Sequence, residues 1–162
     1  MRALVLGVFV AASGSAALAQ PAAQRPPPSF AIERVQAFLY FHGTGTFGDK
    51  DLTAGGVALW NTIIGEGDAG APSTAMLVKV DVVGPSFANQ DGKVVVVAKA
   101  GRKVLAKATF ALGDYFEEHG HAITLPLLVT GVGCDEVTLS ATLSGKGKRG
   151  AATATVPFAC GE

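Results

Sequence analysis

Apolar side chains recur along this chain at every second position rather than every third or fourth, and glycine-rich breaks separate the runs. Period two turns one face of an extended segment toward a core and the other toward water, so the pattern predicts strands. Val35, Ala37, Leu39 and Phe41 alternate with Arg34, Gln36 and Tyr40, and Met76, Val78, Val80 and Val82 alternate with Lys79 and Asp81. Residues 94–99 and 104–112 flank Ala100-Gly101-Arg102-Lys103, a connection short enough for an antiparallel hairpin. Residues 123–130 form a further strand in which Pro126 cannot donate to a ladder, which places it at a sheet edge or beside a bulge.

The last two runs are the most regular. Val137, Leu139, Ala141 and Leu143 alternate with Thr138, Ser140, Thr142 and Ser144, and Ala154, Val156 and Phe158 follow after Gly145-Lys146-Gly147-Lys148-Arg149-Gly150. Pairing them with both apolar sets on one face is expected to set Leu139 opposite Val156 and Ala141 opposite Ala154, because a one-residue slip turns one set outward. That register carries Cys134 to within one position of Cys160, and Gly131-Val132-Gly133 can bulge to close the gap. With no third cysteine and no C-x-x-C spacing, a structural disulfide is expected, and a redox or metal pair is the alternative.

Seven or so short strands with one buried face each predict an all-β antiparallel sandwich of immunoglobulin-like architecture, with a small antiparallel barrel as the alternative. The resemblance is architectural only. Trp60 precedes both cysteines, so the tryptophan does not sit between two inter-sheet cysteines. No stretch of a dozen residues keeps a helical period.

The first residues break the strand pattern. Arg2 is followed by an apolar run over residues 3–12, then Ser13-Gly14-Ser15 and the small-residue triplet Ala17-Leu18-Ala19, which is the order of a cleavable export signal. The apolar run is about half the roughly 20 residues of a membrane span. Residues 1–19 are therefore expected to be a signal peptide, residues 20–29 a proline-rich tether, and residues 30–162 a single domain in the periplasm or the secreted fraction. Thirteen Lys and Arg balance 13 Asp and Glu. Such a neutral chain offers no electrostatic reason for nucleic acid to bind, and no transmembrane segment is expected after cleavage. A monomer is expected.

Four segments carry candidate chemistry. Gly43-Thr44-Gly45-Thr46-Phe47-Gly48 matches the dinucleotide fingerprint G-x-G-x-x-G, but the residues after it do not favour a helix to point at a pyrophosphate, so an ordinary loop is expected. His119 and His121 sit two apart and could grip copper or zinc on one face of an extended segment, with His42 as a third ligand. Trp60 with Leu59, Ile63 and Ile64 is expected to plug the sandwich. The alternative makes Trp60 an exposed anchor for a sugar, peptide or protein, with Glu66 and Asp68 as polar contacts. Glu66 and Asp68 could also serve as the acid and base of a small hydrolase, although a glycine-rich loop does not offer the burial that shifts a pKa.

No nucleophile elbow or cofactor motif accompanies these residues. The sequence thus points to an exported, non-enzymatic binding or structural module that meets a protein or envelope component and needs no cofactor. A periplasmic Cu/Zn protein using His42, His119 and His121 is the second reading, and the Glu66/Asp68 hydrolase the third.

Overall fold

The computed structural model describes residues 30–84, 91–114, 122–145 and 148–161. Among the described residues eight strands are formed: β1 (Ala31–Phe41), β2 (Thr46–Phe47), β3 (Ala75–Val83), β4 (Lys93–Ala100), β5 (Lys103–Ala111), β6 (Ala122–Thr130), β7 (Val137–Gly145) and β8 (Lys148–Val156). They build two four-stranded antiparallel sheets, ordered β2-β1-β3-β6 and β5-β4-β7-β8. Among the described residues no ladder runs from one sheet into the other, which makes the fold a sandwich and not the alternative barrel. With the two-residue β2 set aside, β1-β3-β6 takes the A-B-E places and β5-β4-β7-β8 the C′-C-F-G places of an immunoglobulin-like sandwich. Among the described residues no helix is long and apolar enough to cross a membrane.

The alternation read from the sequence is what fills the core. Val35, Ala37 and Leu39 of β1, Met76, Val78, Val80 and Val82 of β3, and Leu125, Leu127 and Val129 of β6 face Val94, Val96 and Ala98 of β4 and Val137, Leu139, Ala141 and Leu143 of β7. Each inward residue loses its hydration shell while its outward neighbours keep theirs, so the hydrophobic term selects one face per strand. Pro126 lies in β6, an edge strand, where its missing N–H leaves no gap in a central ladder. The β4–β5 hairpin turns through Gly101 and Arg102, with Gly101 at φ 53°, the left-handed backbone that two-residue hairpins use.

The final hairpin differs from its expected register. Leu139 pairs with Ala154 and Ala141 with Ala152, while Val156 lies opposite Val137. The shift is two residues, so the same side chains still point inward. Turn length accounts for it: the ladder continues to Gly145 and Lys148, leaving only two residues for the connection, which is the favoured hairpin length. Alternation with period two is the same before and after an even shift.

Asp81 is the one charged side chain among the buried residues of the described fold, and it sits on the outward face of β3. It accepts hydrogen bonds from the Arg34 guanidinium of β1 (2.7 and 3.0 Å) and from the Thr124 hydroxyl of β6 (2.7 Å), tying all three long strands of the first sheet. Burial pushes its carboxyl pKa up, but the Thr124 and Arg34 bonds and the nearby Lys79 outweigh that and hold it below the usual range. A depressed folded pKa adds stability above the unfolded value of about 3.9 and loses it as the pH falls through the folded value. Asp81→Asn is therefore expected to cost about 1 to 2 kcal/mol at neutral pH, with the difference from the parent closing in acid as the pH falls through the folded value. Urea unfolding at neutral and acid pH measures it; a gap that stays constant in acid would contradict this account.

Candidate functional site

Between β1 and β3 the chain leaves the sheets for residues 42–74, and this excursion holds most of the candidate residues. Its first half closes onto the open side of β1. The N–H groups of Thr44 and Gly45 bond to the Phe41 carbonyl (3.2 and 2.8 Å), and Tyr40 and Phe41 pair with Phe47 and Thr46. The Gly43 to Gly48 segment is thus a hairpin turn, with no helix behind it. Beyond it, Gly48 N–H bonds to Leu39 O and Leu52 N–H to Ala37 O, both at 2.8 Å. The Asp51 carboxylate accepts the Ala37 N–H (3.2 Å), the Gln36 amide (2.9 Å) and the Thr53 N–H (3.0 Å) and hydroxyl (2.8 Å). Burial raises the pKa of that carboxyl, and these donors reverse the effect so that it titrates below its ordinary range.

The second half crosses the end of the sandwich and is tied down at each step. Asp68 accepts the Ala58 N–H (2.7 Å) and the Lys50 ammonium (2.6 Å), and Glu66 accepts the Asn61 side-chain amide (2.8 Å). The Lys50 bond, then the Ala58 bond, lowers the Asp68 pKa. Both acids are therefore engaged in holding the loop. Asp68 is kept ionised, the opposite of what a general acid needs at neutral pH. Asn61 has positive φ (47°), the only described non-glycine residue to do so, and asparagine tolerates that backbone better than most. Its side-chain oxygen accepts the Gly161 N–H at 3.0 Å.

Trp60 and Ala159 form a lone parallel bridge, with Asn61 N–H bonded to Ala159 O (2.8 Å) and Ala159 N–H to Leu59 O (2.9 Å). Ala159 is followed by Cys160, whose disulfide to Cys134 spans 4.7 Å between Cα atoms. The expected disulfide is present. It joins the loop before β7 to the tail after β8, so it staples one end of one sheet and does not cross between sheets. Thr62, fully buried, donates its hydroxyl to the carbonyl of Gly133, the residue before Cys134.

The expected plug is only half there. Leu59 is buried at 3% exposure and Thr62 at 0%, but Trp60 is 49% exposed, Ile63 43% and Ile64 64%. The Ala159 bridge and the 3-10 turn at Thr62–Ile64 divide the run: residues 59 and 62 point into the sandwich, and residues 60, 63 and 64 point away. Glycines set the depth at which the outward side chains rest. A Cβ on Gly161 would stand 2.3 Å from the Trp60 ring, and one on Gly133 would stand 2.7 Å from Ile63. Both glycines adjoin a disulfide cysteine. Ile63 also separates two shallow depressions, one lined by His42, Pro72 and Thr74 and the other by Leu105, Val132 and Cys134.

His42 stands edge-on to Tyr40, with ring centroids 4.9 Å apart. The pair His119 and His121, proposed from the sequence as its co-ligands, lies outside the described residues. Among the described residues no group of three or more His, Cys, Asp and Glu side chains converges in a way that could hold a metal ion. Trp60, Glu66 and Asp68 do share one loop, as their spacing implied, but with different work: the tryptophan faces water and the acids face the loop. Sequence reasoning missed Ile63 and Ile64 as exposed groups and Asn61 as the clasp. The glycines flanking each cysteine were the available signal. No protein-family model and no curated protein matches this chain.

Proposed function

We propose that this chain is an exported, non-enzymatic β-sandwich that binds a protein partner of the cell envelope or secreted fraction through the loop end bearing Trp60, Ile63 and Ile64. One observation carries the reading: three large apolar side chains are held out to solvent on a loop fastened by backbone bonds, buried Leu59 and Thr62, and a disulfide. Apolar groups exposed on a mobile loop lose entropy when they bind, whereas groups already fixed in position lose little. Tryptophan is among the residues that dominate binding energy at protein interfaces. The export sequence and the disulfide both suit an oxidising compartment.

The test places a photo-crosslinking residue at Ile64 and, as a control, at Lys107 on β5, in cells that produce the protein. A discrete adduct is expected from position 64, reduced at least about tenfold when Trp60→Ala is added, since hot-spot tryptophans contribute 2 kcal/mol or more. Because the chain has a single tryptophan, its emission should shift to the blue when the partner is added to purified protein. Equal crosslinking from both positions, or an adduct indifferent to Trp60→Ala, would overturn the proposal.

A further inference from the structure

Each sheet has two edges, and an edge strand with unpaired N–H and C=O groups invites another strand unless something blocks it. Three of the four edges here are blocked. The β1 side is covered by β2 and by the bonds from Gly48, Asp51 and Leu52 to the β1 backbone. The β6 edge carries Pro126 at its centre. The β5 edge carries Lys103 and Lys107 and a bulge, with Ala98 opposite Ala106 but Lys99 opposite Val104.

The fourth edge, β8, carries charge only at its first two residues, Lys148 and Arg149, and borders β1 of the other sheet without a ladder to it. From Gly150 to Val156 it reads Gly-Ala-Ala-Thr-Ala-Thr-Val, with no charge, no proline and an unbroken nine-residue register against β7. Among the described residues, no backbone bond outside that ladder reaches residues 150–155. Where the strand's continuation does meet another segment, at Ala159, Trp60 pairs with it as a short added strand. Ala151, Thr153 and Thr155 are exposed on the outward face, and the inward Ala152 and Ala154 are only half-buried.

We propose that β8 is a self-association edge, at which two copies of this chain pair antiparallel about a two-fold axis near Thr153 to form one continuous eight-stranded sheet. The sequence is complementary to itself in that arrangement. Thr153 meets Thr153 across the axis, hydroxyl beside hydroxyl, while Ala151 of each copy faces Thr155 of the other and Ala152 faces Ala154, so no bulky side chain opposes another. Lys148 and Arg149 lie at one end of the strand, so antiparallel pairing holds the two cation pairs at opposite ends, whereas parallel pairing would place like charges side by side. With 13 cations against 13 anions, the whole chain adds no long-range repulsion. This proposal departs from the monomer expected from the sequence, in which the order of strands within a sheet is not legible.

Sedimentation equilibrium of the oxidised protein across micromolar concentrations is expected to show a monomer–dimer equilibrium. Thr153→Lys puts two ammonium groups on the axis and should weaken the dimer at least tenfold, while the melting of the dilute monomer stays unchanged. Since both native cysteines are joined, Thr153→Cys supplies a single thiol and should give an interchain disulfide under mild oxidation; Thr109→Cys, on the lysine-bearing β5 edge, should not. A protein that remains monomeric throughout, a dimer untouched by Thr153→Lys, or equal crosslinking at positions 153 and 109 would each overturn the proposal. The Trp60 loop meets this strand only at Ala159, beyond residues 150–156, and its own reading is tested separately by crosslinking at position 64.

Discussion

Replacing Cys134 and Cys160 together by serine is expected to lower the stability by about 3 to 4 kcal/mol. The bridge closes a ring between residues 26 apart, and on the chain-entropy account most of its effect lies in the unfolded chain, which loses conformations when that ring is closed. Loss of the bridge acts on the native state as well. Cys160 stands between Ala159, which pairs with Trp60, and Gly161, which bonds Asn61 and underlies the indole, while Gly133 beside Cys134 supports Ile63 and Thr62. The serine variant should therefore keep its strand signal in circular dichroism yet show stronger iodide quenching of Trp60. Urea unfolding gives the first quantity and fluorescence the second. A stability loss below about 1 kcal/mol, or unchanged quenching, would mean that the sheets alone hold that end.

Leu139→Ala is expected to be as damaging, at about 4 kcal/mol, near the upper part of the range for buried leucines. Leu139 is fully buried in β7, an interior strand, and its lateral neighbours in the sheet are Ala98 of β4 and Ala154 of β8. Two methyl groups cannot lean in to fill the space a leucine leaves, and strands held by ladders on both sides cannot close up, so the cavity persists and its cost adds to the lost transfer energy. Leu127→Ala in edge strand β6, where exposure is already 9% and the strand has a free side, should cost about 2 to 3 kcal/mol. Equal midpoints for the two variants in chemical denaturation would refute the argument from neighbours.

The sheets were legible in the sequence because one signal, period two, governs both where a strand runs and which of its faces is buried. Its blind spot is any even displacement, and that is how the β7–β8 register was missed: Leu139 points inward whether it meets Val156 or Ala154. Pro126 at an edge and the Cys134–Cys160 bridge followed from constraints that act on single residues, a missing donor and an available thiol. Trp60 did not follow, because apolar neighbours in sequence argue for burial only while the backbone is regular. Here a bridge to Ala159, almost a hundred positions away, and one tight turn sort Leu59 and Thr62 inward and Trp60, Ile63 and Ile64 outward. The edge-covering work of Asp51 was hidden for the same reason, since its partners Gln36 and Ala37 lie 15 and 14 residues back.

The clasp between Asn61 and Gly161 joins residues 100 positions apart, and that distance sets an order of events during synthesis. At about 5 to 20 residues per second, a ribosome delivers the second partner about 5 to 20 s after the first. For that interval the contacts that Ala159 and Gly161 make with Trp60 and Asn61 cannot form. A nascent chain arrested before residue 159 should already contain every strand and still lack the finished surface. The surface is therefore completed last, and displaying it certifies that the chain has been made through to Gly161.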